Sequence, residues 1–376
     1  MAAAAVAPPA FRHRDLPKSC FYLDQIVDRR CPISQIDNNK PPAWSLGSLS
    51  VLPAELLTYI IEPLSLLDLM RFRKSCRATH NFVDTLPKFS LVLRHAPNVI
   101  TGMIATRATA STQMTLSMLY EKLGQRVCDH EEHDDLAQYI HVPTGQRLCK
   151  SCCHPVGVFP TFEAPIHKYD AALHYAMTND DLDGIPSFRF LPATFRHGNH
   201  KLKVEGAHTF YDAASVKQRC LELTGSDDPS MSYSDNYVRC DRDDTHTAIL
   251  NNTSTKPTLT IENMEPPRIL TKHMSIVFAP WFTPGSSTVE EGVYCASCLC
   301  VDEGFEELFE PADFQEHLGD CRVTPLPVVV EANRKYCYDG GFLLDDEDDE
   351  STDRMAELRC RSVSSFNQVF SGTSFE

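Results

Sequence analysis

Between Leu52 and Val83 the apolar residues fall at intervals of three and four, the signature of short helices with a buried face. Pro53 suits a first helical position, where a missing N–H is no loss, and Glu55 puts a negative charge at the positive end of the helix dipole. Leu56, Leu57, Ile60, Ile61 and Leu64 carry the apolar positions. Pro63 ends the helix by disfavouring helical backbone at Glu62. Ser65 followed by Asp68 makes a capping box that starts a second helix with Leu66, Leu67 and Leu69. Ser75 is the expected cap of a third helix carrying Cys76, Phe82 and Val83. Three helices this short, with leucines on more than one face, cannot cover all their apolar surface among themselves. The pattern predicts either a surface covered by a partner or an ordinary helical part of a larger core.

The rest of the chain is less regular. Residues 1–47 are polar and broken by prolines and read as a disordered lead-in, ahead of the helical segment at 48–88. Residues 89–225 form a helical, then Cys/His-rich region. Met114, Met118 and Leu119 lie at helical spacing, with Thr115, Glu121 and Lys122 on a polar side. Further helices are expected around Tyr169–Met177 and Ala213–Leu223. Residues 226–264 are rich in Ser, Asp, Asn and Thr and read as a loop or linker. Residues 265–330 form a C-terminal part, in which Arg268–Trp281 has the β-branched and aromatic content of a buried strand. Residues 331–376 are an acidic tail with six consecutive acids at Asp345–Glu350, which repel one another and resist folding. The fold class is α+β: a three-helix N-terminal element followed by a mixed domain with long loops.

Charge and cysteine content narrow the function. With 35 basic and 51 acidic residues the formal net charge is −16, which disfavours a general nucleic-acid binder. The longest apolar stretch, near Ile276–Trp281, is far short of the roughly 20 residues of a spanning helix, so no membrane partner is expected. Met1–Ala10 has no basic residue ahead of its apolar part and does not read as a secretory signal. The 15 cysteines are then expected to be reduced thiols or metal ligands, in the cytoplasm or nucleus.

Two clusters have metal-ligand spacing. Cys295 and Cys298 form a knuckle pair, and Pro311 can open a helix on which His317 and Cys321, four residues apart, share a face. Cys/Cys/His/Cys is a closed tetrahedral set of the kind structural zinc prefers, with Cys300 a rival thiol. The other cluster has Cys149 and Cys152 as one half-site and Cys128 in the second. Its fourth ligand is His130 or His133, with Cys153 and His154 as spares. The alternative to each site is a set of reduced cysteines with no metal. His130-Glu131-Glu132-His133 does not fit a metalloprotease helix, since its histidines are three rather than four apart. No glycine-rich phosphate loop or nucleophile elbow is visible either, so the chain is not expected to be an enzyme.

Leu52-Pro53-x-Glu55-Leu56-Leu57-x-x-Ile60, then Leu64, Asp68-Leu69, Arg73, Cys76-Arg77 and Val83, resembles the F-box. The resemblance implies a three-helix element that docks onto the Skp-type adaptor of cullin–RING ubiquitin ligases. It implies partner contacts at Leu52, Pro53, Leu56, Leu57, Ile60, Leu64 and Leu69. The sequence departs from the family at Pro63 and at His80-Asn81. Cys128, Val142-Pro143-Thr144, Cys149-x-x-Cys152, Asp180–Phe195, Glu291–Cys295 and Phe314-x-x-His317 are similar to filamentous-fungal F-box proteins with Cys/His-rich regions after the F-box. The expected function is substrate recruitment to an SCF-type ligase. The alternative is a zinc-binding interaction module in transcription or chromatin, with a zinc-dependent hydrolase well behind.

Overall fold

The computed structural model describes residues 10–11, 22–31, 33, 46–130, 135–153, 163–175, 177–197, 200–204, 208–225, 258–261, 268–283, 285–286, 288–295, 308–321 and 343–344. After a two-residue strand β1 (Ala10–Phe11), helix α1 spans Tyr22–Arg30. A 3-10 turn at Gly47–Val51 leads into α2 (Ala54–Ile61), α3 (Leu66–Ser75), α4 (Arg77–Thr85) and α5 (Pro87–His95). Helices α6 (Pro97–Ala105), α7 (Ala110–Gln113) and α8 (Leu116–Gly124) follow.

The predicted helix boundaries have local causes. Ser65 Oγ accepts from the Asp68 N–H at 3.1 Å and starts α3. Pro53 sits at the N-cap of α2 rather than inside its first turn. The cap of α4 is Cys76, not Ser75. Its backbone is extended, its Sγ accepts from Thr79 N, and Thr79 Oγ1 accepts from Cys76 N in return. Ser75 is still the last residue of α3, where its hydroxyl donates to Phe72 O.

The lead-in expected to be disordered contains α1, an integral part of the core. Leu23, Ile26 and Val27, at i, i+3 and i+4, are fully buried in one cluster with Ile61, Leu66 and Leu69 of α2 and α3 and with Val99, Ile100 and Met103 of α6. Asp24 holds α1 in place. It accepts from Asn98 Nδ2 at 2.6 Å and from Phe278 N at 3.0 Å.

The β structure is a set of small sheets. In one, β2 (Ala137–His141) lies between β3 (Arg147–Cys149) and β10 (Ile276–Phe278), all antiparallel. The β2–β3 turn uses Gly145 at φ +74, where a Cβ would also strike Met114 Sδ. A short helix α9 (Lys150–Cys153) follows β3. The pair β4 (Ile166–His167) and β5 (Ser187–Arg189) flanks β8 (Thr209–Tyr211), with α10 (Lys168–Tyr175) after β4 and α11 (Ala213–Thr224) after β8. The hairpin β6 (Ala193–His197) and β7 (His200–Val204) is extended by β9 (Thr258–Ile261), parallel to β7.

The segment predicted as a strand at Arg268–Trp281 divides into a helix, α12 (Arg268–Met274), then β10 and β11 (Trp281–Phe282). Strand β11 pairs with β12 (Val289–Glu290). Strand β13 (Val293–Cys295) pairs with β1 and with β14 (Leu308–Phe309), ahead of helix α13 (Pro311–Asp320). A last strand, β15 (Leu343–Leu344), joins β6. Most of the linker and the acidic run Asp345–Glu350 lie outside the described residues. No helix among the described residues is long and apolar enough to cross a membrane.

Candidate functional site

Helix α2 is apolar on two sides. Leu57 and Ile61 point into the core at 4 % exposure each, whereas Leu56 (51 %), Tyr59 (77 %) and Ile60 (51 %) face outward. The outward residues sit at i, i+3 and i+4 and so share one face. Leu49 and Val51 in the preceding turn are also exposed, as is Pro53, while Leu52 is half-buried. Apolar residues thus stand on the solvent side of α2 as well as on its core side. The residues predicted to dock therefore separate. Pro53, Leu56 and Ile60 are accessible, Leu52 and Leu64 are half-buried, and Leu57 and Leu69 are inside the fold.

The helices behind this face are joined by a half-buried ion pair. Arg73 on α3, at 1 % exposure, donates from Nε and Nη2 to the two carboxylate oxygens of Asp84 on α4, at 2.6 and 3.1 Å. His80 Nδ1 lies 3.2 Å from the same carboxylate, and the guanidinium sits 5.6 Å from the centre of the Phe89 ring. A fork-shaped guanidinium matches a carboxylate in two parallel bonds, which sets the α3–α4 angle as well as their separation. Leu66 N donates to Met114 O at 2.8 Å and Lys88 Nζ to Ser117 Oγ at 2.8 Å, so the module is joined to α8.

At the far end of α8 three thiols converge. The β2–β3 hairpin and α9 bring Cys149 and Cys152 onto Cys128, with their sulfurs within 4.8 Å of one another and all three buried. Cys128 Sγ and Cys152 Sγ are 3.6 Å apart. The backbone N–H of Cys149 points to Cys128 Sγ, and that of Cys152 to Cys149 Sγ, both at 3.4 Å. Hydrogen bonds from Cys149 and Cys152 hold the Cys128 thiol well below its ordinary range, and Cys149, as the donor, is held protonated. A tetrahedral site with metal–sulfur bonds of about 2.3 Å has sulfur–sulfur edges of about 3.8 Å, close to the separation observed.

His130 does not join the converging side-chain atoms. Its backbone N–H donates to Cys128, and the residue lines a cavity of about 640 Å³ with Thr144, Asp212 and Lys217. His133 and His154 lie outside the described residues. Cys153 is buried but is not part of the converging set, and burial pushes its thiol up. Burial lowers the ammonium of nearby Lys272, against a raising effect of Cys153 and Cys152.

The second cluster joins Cys295 at the end of β13 to His317 and Cys321, on and just after α13. Their ligand atoms also lie within 4.8 Å of one another, and the two sulfurs are 3.8 Å apart. Phe309 stacks on His317 at 4.3 Å between ring centres and fixes its orientation. Cys298 and Cys300 lie outside the described residues. Each cluster could hold a metal ion.

Sequence reasoning missed the residues that support these sites. Arg147 is fully buried, donating to the carbonyls of Ala137, Ala279 and Pro280, and burial lowers its guanidinium to about 9. Its own N–H donates to Asp129, a residue after Cys128. Arg126 reaches Glu290 and Glu310 at 2.6 Å each. Nothing short-range marks either arginine, since Ala279 and Pro280 for Arg147 and Glu290 and Glu310 for Arg126 lie far along the chain.

Residues 54–95 are a run of short helices, the first of which carries an outward apolar face. The F-box domain model matches residues 49–91, from the exposed turn into α5, so this segment is similar to an F-box domain. Such domains typically bind Skp-type adaptors, and F-box proteins are generally adaptors rather than enzymes. No curated protein and no solved structure matches the chain.

Proposed function

We propose that this protein is the substrate-recruiting subunit of an SCF-type cullin–RING ubiquitin ligase. It holds the Skp-type adaptor through its F-box and presents the region beyond α5 to a protein target. The observation that carries this reading is the outward face of α2, where Leu56, Tyr59 and Ile60 are exposed inside a matched F-box. Leu52, Pro53 and Leu64 flank that face, and Leu57 and Leu69 support it from within. In this reading the protein performs no chemistry, contacts neither nucleic acid nor membrane, and works in the cytoplasm or nucleus.

The two thiol-containing clusters hold structural zinc in this proposal, Cys128, Cys149 and Cys152 in one site, Cys295, His317 and Cys321 in the other. Cys298 is the proposed fourth ligand of the second site, and His133 replaces His130 as the candidate for the first. Closed sites of this kind contribute directly to folding.

A pull-down of the zinc-loaded protein with the Skp-type adaptor tests the proposal. The double variant Leu56→Asp, Ile60→Asp is expected to lose binding yet melt close to the parent, because both side chains already face water. Leu57→Asp places a charge at a 4 % exposed position and is expected to unfold the module instead. A folded parent chain that fails to bind would remove the ligase role and favour a zinc-dependent interaction module in transcription or chromatin.

A further inference from the structure

Strand β13 separates the two clusters, and its side chains alternate between them. Tyr294 packs among Cys128, Cys149 and Cys152, and its hydroxyl donates to Gln138 Oε1 on β2. The next residue, Cys295, is a sulfur of the other cluster and packs with Phe309 and Phe314. The paired strand β14 does the same. Leu308 lies against the first cluster and Phe309 belongs to the second, in register with Tyr294 and Val293. Alternation of side chains along a strand makes this short ladder a wall with one cluster on each face.

A second link runs outside the wall. Arg126, two residues before Cys128, bridges Glu290 on β12 and Glu310, the N-cap of the helix bearing His317. Its guanidinium also lies 6.0 Å from the Trp281 ring centre, and Trp281 Nε1 donates to Ala137 O at 2.7 Å. The two clusters therefore share the β13–β14 pair and the Arg126 bridges.

We propose that the two clusters take up zinc as one cooperative unit, filling together rather than independently. This rests on the zinc reading given above. The first ion orders the β13–β14 wall and the Arg126 bridges, and the second then binds to a site already formed, so its affinity is higher. By reciprocity, loss of either ion weakens retention of the other by the same factor. The region from Arg126 to Cys153 and that from Val289 to Cys321 then respond to zinc depletion as one body.

The test is zinc titration of the metal-stripped full chain against a chromophoric chelator, compared with Cys149→Ser, Cys321→Ser and Arg126→Met. The full chain is expected to bind two ions with a Hill slope above one. Each ligand variant is expected to bind its remaining ion about tenfold or more weakly. Arg126→Met retains every ligand, so it should still bind two ions but with the slope reduced toward one, which a general folding defect would not produce. Independent filling, with unchanged affinity at the intact site of each ligand variant, would overturn the coupling and leave the zinc reading standing. A folded full chain that binds no zinc would overturn both.

Discussion

Asp24 illustrates how a single buried carboxyl can shape the stability of the chain. It faces Asn98 and the Phe278 N–H inside the fold, and burial raises its carboxyl from 3.8 to about 7, against the lowering effect of those two hydrogen bonds. Between those values the native state holds a proton that the unfolded state has released. Stability from this group is therefore greatest at the acid end, falls as pH rises from about 4 to about 7, and is level above that. Melting curves across this window for the parent and Asp24→Asn are expected to converge at the acid end, where the parent carboxyl is neutral, and to separate as pH rises. Equal pH slopes for the two proteins would mean that Asp24 ionises normally in the fold. Nothing in the Tyr22–Arg30 sequence marks this carboxyl as unusual, because one of its partners, Phe278, lies 254 positions away. The same holds for Arg147 and Arg126, whose roles depend on residues more than 130 positions distant.

Helix starts and stops are set by near neighbours and can be tested one residue at a time. Ser65→Ala removes the oxygen that accepts the Asp68 N–H and should cost about 1 kcal/mol. At Cys76 a thiol does the work of a hydroxyl, with a 3.4 Å contact to Thr79 N. Cys76→Ser should strengthen that cap and raise stability by roughly 0.5 kcal/mol in urea denaturation, since oxygen accepts better than sulfur at an N-cap. A loss of stability instead would give the Cys76 thiol a packing role that outweighs its capping one. These locally determined features are what the sequence made legible: Pro53, Pro63 and Ser65 mark the F-box helices, and Pro311 with His317 and Cys321 marks the C-terminal one. Strand β2 was not legible. Its Ala-Gln-Tyr-Ile-His run is buried on both faces, so the alternation that identifies a half-exposed strand is absent. The convergence of Cys128 on Cys149 and Cys152 depends on that strand and its hairpin, so spacing could suggest the cluster but not which residue completes it.

At the scale of the whole molecule, the F-box is not a detachable module. Ile61, Leu66, Leu69 and Val83 share one apolar cluster with α1, α6, the Ile140 and Val142 region and Val277. The pattern of short helices suggests a self-contained element, but three helices of this length bury too little surface alone, and the chain supplies the rest from both directions. Helix α1 is the clearest contributor. Leu23 is fully buried, and Ile26 and Val27 are 1 % exposed. At about 1.5–3 kcal/mol for each such side chain, the three together contribute about 4.5–9 kcal/mol, comparable with the whole net stability of an ordinary domain. Deleting residues 1–31 is therefore expected to abolish cooperative unfolding of the helical half and, with it, adaptor binding, although no predicted docking residue is removed. Circular dichroism melts of the truncated and full chains, with the adaptor pull-down run on both, check this. A truncated chain that melts within a degree or two of the parent and still binds would assign α1 to the surface. A chain that loses both would show that the docking face of α2 is held in place by a segment that precedes the matched family region and that the core requires.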